Sequence, residues 1–508
     1  MKNSVLCYLE KTAQEFKDKT AVTDMNGDMS FGEFRSLAVK TANAIMGKNI
    51  GIQKPILVFL PKLKESFSVF MGIVYSRNIY VPTDVKYPCE RIQALVDILR
   101  PGLIISDAKN AKKLSEYGID IPVLLLEDIQ ETSGGFSGSE LCRKSLLSDL
   151  VYIIFTSGST GAPKGVSISN LNIIEYIDWA VEVFHSDETT VMGSLAPLYF
   201  DLSTHELYTC LAKASTLVMI PEKYKAFPAA ILKCLKENHV NFLYWVPSAY
   251  VNVATFNLLE SIELDEIKTM VFGGEVMPVK TLNYWKKNLP ALSLIANMYG
   301  PTEATVNCTY YIVDREFGDD EFLPLGKACD IKEVIVLDEE GHLITPDQTG
   351  ESGELCVCGT SLSRGYWNND EVTRKYFVQN PLNPYLPETM YCTGDLVYYN
   401  DRGELVFSGR KDFQIKHMGY RLELGEIENA ILRTKMVDNV CVLYDSENKT
   451  IVLFYCAASE IDPGYMAKEL GNILPQYAVP SRFEYVRSFP MTDSGKIDRQ
   501  YLKGKYLK

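Results

Sequence analysis

The segment Thr156-Ser157-Gly158-Ser159-Thr160-Gly161-Ala162-Pro163-Lys164-Gly165 combines three kinds of group that hold phosphate oxygens. Glycines let a backbone turn so that several N–H groups face one point. The hydroxyls of Thr156, Ser157, Ser159 and Thr160 add donors, and Lys164 adds a full positive charge. A polyphosphate is the ligand that suits such a set. The spacing is not that of a Walker A loop, Gly-x-x-x-x-Gly-Lys-Ser/Thr, because proline stands before Lys164 at 163 and glycine after it at 165. The plainer reading is a flexible surface linker. Against it, the segment directly follows an apolar strand-like run at 151–155 and ends in Pro-Lys-Gly.

Further polar groups stand where apolar runs end: Asp201, then Gly273-Gly274-Glu275, then Asn297-Met298-Tyr299-Gly300-Pro301-Thr302-Glu303. Ligands of open α/β sheets bind beyond the carboxyl ends of strands. Cys356-x-Cys358 has the form of half a metal site, but no matching His or Cys pair accompanies it.

The elements that must position these groups follow from periodicity. Phe31, Phe34, Leu37, Ala38, Ala42 and Ile45 recur at helical spacing. Residues 55–60 (PILVFL) form the continuous apolar run of a strand buried on both faces. Helices are expected at 66–73, 91–99, 172–183 and 203–211. Strands are expected at 103–106, 122–126, 191–195, 215–220, 242–246 and 269–272. The alternation predicts an α/β fold of layered, mainly parallel sheets. Tyr80-Val81-Pro82-Thr83-Asp84, followed by Tyr87-Pro88, reads as a structured turn.

From about 325 to 410 the pattern changes to short strands and turns, with Asn400-Asp401-Arg402-Gly403 as a hairpin signal. Beyond Arg410 it becomes mixed, with helices at 426–433 and 466–474 and strands at 440–444, 451–455 and 483–486. The expected organisation is a large N-terminal domain, 1–410, containing a β-rich subdomain at about 325–410. A small, mobile α+β C-terminal domain, 411–508, follows, with the boundary near Lys411-Asp412.

With 508 residues, 46% hydrophobic and 23% charged, the chain suits a globular protein of more than one domain. A formal net charge of −14 without a basic cluster argues against nucleic acid as a partner. No apolar run approaches the roughly 18 residues of a spanning helix, so no membrane insertion is expected. The N-terminus meets Glu10 and Lys11 before any sustained apolar core and does not read as a signal peptide. The 12 cysteines are scattered, several of them in apolar runs, including Cys356, Cys358, Cys441 and Cys456. They read as reduced core residues of a cytoplasmic protein.

Five motifs in this order resemble those of the adenylate-forming superfamily of amino-acid-activating adenylation domains, acyl-CoA synthetases and luciferases. They are the loop at 156–165, YGPTE at 299–303, YCTGDL at 391–396, GRKDFQIKHMGYRLELGEIE at 409–428 and SGKIDR at 494–499. Together they span almost the whole chain. The resemblance is strongest to amino-acid adenylation enzymes, particularly stand-alone D-alanine–carrier-protein ligases. It implies that a carboxylate attacks the α-phosphorus of ATP, giving an acyl-adenylate and pyrophosphate, and that a pantetheine thiol then takes the acyl group. The site must therefore bring two anions together, neutralising charge and orienting attack. ATP and Mg2+ are the implied cofactors, and an amino acid and a phosphopantetheinylated carrier protein the implied partners. The chain ends at Lys508, soon after Lys496, without a serine-bearing carrier segment, so the carrier is expected in trans.

The resemblance also implies roles. Lys496 would contact the substrate carboxylate and the α-phosphate; the alternative is a solvated tail lysine. Thr156, Ser157, Gly158, Ser159, Thr160, Gly161 and Lys164 would hold the phosphates. Asp395 would take the ribose hydroxyls, with Phe407 and Arg410 closing over the same nucleotide. Asn297, Met298 and Tyr299 would flank the adenine, with Gly300 and Pro301 in the turn that follows; an ordinary turn is the alternative. Thr302 and Glu303 would lie near Mg2+, a hard cation that prefers oxygen ligands. Asp412 matches the hinge about which the C-terminal domain rotates between half-reactions, and Gly419 the thioester face.

Asp201 matches the aspartate that pairs with a substrate α-ammonium, for which simple-acid ligases have no use; a helix N-cap is the alternative. The side-chain pocket would comprise Leu202, His205, Tyr244, Val271, Gly273, Met298, Val306 and Asn307. D-alanine ligases resembling this chain carry cysteine at position 273, so Gly273 is expected to open space. His205 and Asn307 offer hydrogen bonds to a hydroxyl or amide, although His205 also reads as a packing histidine. A small or medium polar amino acid, or D-alanine, is the expected substrate. The alternatives are an acid–CoA ligase, which Asp201 opposes, and a non-catalytic adenylate-binding protein, which intact Lys164, Glu303, Asp395 and Lys496 oppose.

Overall fold

The computed structural model describes residues 2–156, 163–411, 414–491 and 497–507. The chain divides into two compact units. One comprises Met1–Val85, Leu99–Ile154 and Gly165–Lys411; the other comprises Lys86–Ile98, Phe155–Lys164 and Asp412–Lys508.

Three sheets carry the first unit, and the expected α/β class is what is observed. One runs in the order Val123–Leu125, Leu103–Ser106, Pro55–Phe59, Ile79–Pro82, Leu150–Thr156 and Lys164–Ser169. Its first five strands pair in parallel, and the continuous apolar run Pro55–Phe59 is buried throughout, as a strand covered on both faces must be. A second, nine-stranded sheet has a parallel centre of Leu294–Tyr299, Thr269–Gly273, Phe242–Trp245, Val191–Ser194 and Thr216–Met219. Antiparallel strands finish both edges, Thr309–Ile312 on one side and the hairpin strand Gly27–Ser30 on the other.

Helices cover these sheets. In Phe31–Gly47 every predicted contact residue from Phe31 to Ile45 is buried, and Ser30 and Glu33 close its N-terminus with a reciprocal capping box. The third sheet, Lys332–Leu337, Ser352–Gly359, Thr389–Tyr399 and Leu405–Arg410 among its strands, is the β-rich region expected after 325. Asn400 closes its predicted hairpin, its Oδ1 accepting from the N–H groups of Arg402 and Glu404 at 2.9 Å each.

The second unit holds the hairpin Gln414–His417 with Tyr420–Glu423, and a sheet of Asn439–Asp445, Thr450–Cys456 and Arg482–Tyr485. Helix Leu424–Arg433 buries Leu424, Ile427 and Ile431. The helix expected at 466–474 runs instead over Pro463–Gly471. Asp462 caps it by accepting from the Tyr465 N–H, and a proline fits the first helical position.

One expectation is overturned. Tyr80, Val81 and Pro82 form no turn but end a buried strand, with Pro82 opposite Val58. The strand on the other side pairs only at Tyr80↔Tyr152, so proline's missing N–H removes no ladder bond there.

Candidate functional site

In the first unit the predicted residues gather at the carboxyl ends of the parallel strands. Asn297, Met298 and Tyr299 close strand Leu294–Tyr299; Val271 and Gly273 lie in Thr269–Gly273, and Tyr244 in Phe242–Trp245. Gly300 lets the chain turn back on itself: a Cβ there would stand 2.3 Å from Asn307 Cα. The close approach lets the Cys308 N–H reach the Tyr299 carbonyl at 2.7 Å. Thr302–Ala304 forms a single 3-10 turn, after which Thr305 and Val306 both adopt left-handed backbone, φ +57° and +66°.

The residues expected at the nucleotide meet around Asp395. Thr393, Gly394 and Asp395 stand opposite the single residue Leu355, a bulge that turns Asp395 inward. Glu354 accepts from the Gly394 N–H at 2.8 Å and from Lys411 Nζ at 3.0 Å, and Thr393 Oγ1 donates to the Leu355 carbonyl at 2.7 Å. Asp395 Oδ1 accepts from Arg410 at 2.5 Å, and Oδ2 accepts from the Tyr299 hydroxyl. Burial first, then this carboxylate, pushes the Tyr299 phenol well above its ordinary pKa. Asn297 Nδ2 donates to the Pro324 carbonyl at 2.8 Å, and Phe407 lies on the neighbouring strand opposite Val397.

Glu303 is fully buried, and its Oε1 accepts from the Tyr366 hydroxyl at 2.7 Å; the adjacent Thr302 is partly exposed. A carboxylate beside a hydroxyl is a hard-oxygen donor set, and its chemistry fits Mg2+.

Asp201 directly precedes helix Leu202–Lys213, but its side chain makes no capping hydrogen bond, so the N-cap alternative is not realised. Its charge reaches three buried phenols. Burial above all, with Asp201 among the lesser causes, holds Tyr152, Tyr176 and Tyr244 well above their ordinary pKa.

Two of these phenols, Tyr176 and Tyr244, belong to a buried polar cluster. Asn307 Oδ1 accepts from Tyr176 at 3.0 Å and from Tyr244 at 2.6 Å, and His205 Nδ1 lies 3.3 Å from the Tyr176 hydroxyl. His205 Nε2 is buried and has no partner among the described residues. Burial lowers the His205 pKa to about 3, so the ring is neutral at pH 7. Leu202, Val271, Met298 and Val306 complete a lining that is almost wholly buried.

Here a second expectation fails. Gly273 opens no space, because a Cβ on it would meet the Met298 carbonyl oxygen at 2.7 Å and Met298 Cβ at 3.1 Å. The neighbouring strand, not a cavity, takes the room that a side chain at 273 would fill.

In the second unit, Thr156 Oγ1 lies 3.5 Å from the Lys164 carbonyl. Lys164 Nζ lies 3.8 Å from Glu423 Oε1, which also accepts from Gln414 at 2.6 Å. Gly419, with φ +82°, occupies the turn joining the two strands of the 414–423 hairpin. Ser157, Gly158, Ser159, Thr160, Gly161, Asp412 and Lys496 lie outside the described residues.

Four contributors went unrecognised in the sequence: Tyr176, Lys332, Glu354 and Tyr366. Each acts through a partner more than 20 residues away, so no local pattern marks it. The Cys356 half-site also has a partner invisible in the sequence. Cys392 faces it across the sheet, Sγ to Sγ 3.8 Å, with Glu354 alongside. The Lys411 ammonium bound to Glu354 opposes a cation there. All twelve cysteines are free thiols, though Cys456 is only partly buried rather than a core residue.

Comparison with known proteins identifies the family. The chain is 32% identical over 510 residues to the D-alanine–D-alanyl carrier protein ligase of Bacillus licheniformis, covering 97% of this chain and 98% of that protein. It is 31% identical over 501 residues to tyrocidine synthase 3 of Brevibacillus parabrevis, of whose length it spans only 8%. Among solved structures, the Vibrio cholerae adenylation domain AlmE, in complex with glycyl-adenosine-5'-phosphate, shares the fold at a TM-score of 0.85. That match has 21% identity and covers 99% of this chain and 98% of that one. No helix among the described residues is long and apolar enough to cross a membrane. The sequence family described as AMP-binding enzyme matches residues 9–367, a span that holds Asp201, the Tyr299–Glu303 turn and Tyr366. The chain thus belongs to the AMP-binding, adenylate-forming enzymes.

Proposed function

We propose that this adenylating ligase activates an amino acid with ATP and passes it to the phosphopantetheine thiol of a separate carrier protein. The observation that carries this reading is Asp201: an acidic side chain near enough to three buried tyrosines to help raise their pKa, set at a helix start but not used to cap it. A carboxylate so placed suits an α-ammonium group. The relative named as a carrier protein ligase points the same way.

In the first half-reaction the substrate carboxylate oxygen bonds to the α-phosphorus and the bond to pyrophosphate breaks. Asp395, Tyr299 and Arg410 hold the nucleoside, Thr302 and Glu303 would hold the Mg2+ that accompanies the phosphates, and Lys496 steadies the approaching anions. In the second, the thiol sulfur bonds to the acyl carbon, AMP leaves with the bonding electrons, and the thiol proton passes to solvent. Residues 1–410 and 411–508 would act as the two domains of this cycle, with Asp412 as their hinge.

The sealed lining and the strand backbone against Gly273 favour a small guest, glycine- or alanine-sized of either hand. ATP–pyrophosphate exchange with a panel of amino acids, both enantiomers, and simple carboxylic acids tests the reading. Exchange with a small amino acid, lost at least 100-fold in Asp201→Asn, supports it. Exchange confined to acids that lack an amine, and indifferent to Asp201→Asn, would refute it.

A further inference from the structure

Lys332 is a buried cation in the first unit, 7% exposed, at the first position of strand Lys332–Leu337. Its ammonium donates to main-chain carbonyls: Ala304 at 2.6 Å, Thr305 at 3.3 Å, and Asn307. An ammonium has three donors, and these acceptors use all three. The ring face of Tyr176 lies 5.4 Å away, and the Cys308 and Cys329 thiols and Glu175 are the ionisable groups that also face it.

Those carbonyls converge because Thr305 and Val306 are both left-handed. Neither residue type favours this region, and a β-branched valine there is a real outlier. Such strain persists only where the surroundings over-determine it, and it concentrates at functional sites. Here the turn is held on two sides. Lys332 draws the carbonyls together behind it, and Thr305 Oγ1 ties to the Ser361 carbonyl at 2.6 Å. In front, Tyr176 and Tyr244 bind the Asn307 side chain. Without the ammonium, three converging carbonyl dipoles would repel one another and nothing would offset the strain at Val306.

We propose that Lys332 is a positioning residue for the guest's side chain, pinning the left-handed turn that aims Val306 and Asn307 into the pocket. The proposal rests on the reading of that pocket as an amino-acid site. Lys332 touches neither guest nor nucleotide; it acts through the turn. It therefore governs recognition of the amino acid while the Asp395–Tyr299–Arg410 cluster, which it does not contact, continues to serve the nucleotide.

The test uses the full chain and the variant Lys332→Met, which keeps length and removes all three donors. Pyrophosphate exchange gives KM for the amino acid and for ATP separately. The expected result is an amino-acid KM raised at least tenfold, an ATP KM within twofold of wild type, and acceptance of amino acids the wild type rejects. Lys332→Gln keeps two N–H donors for those carbonyls, so this second variant should hold the amino-acid KM within about threefold of wild type. A parallel rise of both KM values, or an unchanged amino-acid KM, overturns the proposal. If Lys332→Met does not fold, Lys332→Gln decides. Folding with near-normal amino-acid KM supports the proposal, and failure of both variants to fold assigns Lys332 to general stability and overturns it. Wild type that exchanges with no amino acid fails the functional reading itself and removes the pocket that Lys332 would position; a normal wild type with an indifferent variant fails this inference alone.

Discussion

Replacing His205 with methionine should remove an acid-sensitive contribution to stability whose size follows from the structure. The ring is fully buried, with Phe184, Tyr244 and Phe242 around it at centroid distances of 5.7, 5.0 and 6.0 Å. Burial lowers its pKa from an ordinary 6.5 to about 3. The sign follows from proton uptake: below pH 6.5 the unfolded chain binds a proton that the folded chain refuses until about pH 3. The stability carried by the neutral ring is thus whole above 6.5 and is lost as pH falls through that window. One unit below the ordinary pKa the loss is about 1.4 kcal/mol, and two units below about 2.7 kcal/mol.

Tryptophan fluorescence in urea reads this cleanly, since all four tryptophans, 179, 245, 285 and 367, belong to the first unit. Between pH 7.5 and 5.5 the wild type should lose about 1.4 kcal/mol more than His205→Met. The other four histidines are exposed or half-buried and are present in both proteins, so their titration cancels. Methionine fills a similar volume without a polar atom, and Tyr176 keeps its bond to Asn307. Equal pH dependence of the two proteins would show that His205 is hydrated or charged in the fold, and would undo the picture of a sealed, neutral pocket floor.

Gly300→Ala should cost about 3 kcal/mol or more by the same fluorescence measurement, because its Cβ would fall 2.3 Å from Asn307 Cα and 2.6 Å from the Cys308 nitrogen, both backbone atoms. Lys496→Ala should leave circular dichroism unchanged and reduce pyrophosphate exchange at least 100-fold; near-normal exchange would remove it from the chemistry.

What the sequence made legible was what local pattern encodes. The run at 55–60 announces a doubly covered strand because every side chain is apolar, and Phe31 to Ile45 announce a helix because a 3.6-residue period puts them on one face. Tyr80–Pro82 misled because Pro and Asp signal turns, whereas whether a proline breaks a strand depends on which neighbours pair with it. Asp201 and the strand-end clusters were singled out because parallel sheets place ligands at such positions. Tyr176 was not, since its meaning lies in Asn307, 131 residues on. Lys332 is one of 51 Lys and Arg residues until three carbonyls meet it. Gly273 shows a subtler failure. Subtracting a side chain from a related pocket suggests a void, but close packing brings a neighbour into it, here Met298.

The two ends of the site treat their polar groups in opposite ways, and this bears on the guest. Asp395 accepts one bond on each oxygen, from Arg410 and Tyr299. A carboxylate offers about four acceptor positions, so two hydroxyls of a ribose can join without displacing either partner, onto a group already held in place. At the other end the Asn307 carbonyl oxygen has both lone pairs taken by Tyr176 and Tyr244, and Tyr176 also occupies His205 Nδ1. The residue types promised a polar pocket, but they satisfy one another. A long polar side chain entering there must break bonds between protein groups before it makes its own, whereas glycine or alanine leaves the cluster intact. On the proposed function, the hydrogen bonds that look like a specificity code act mainly as a wall, and recognition falls to the charge of Asp201.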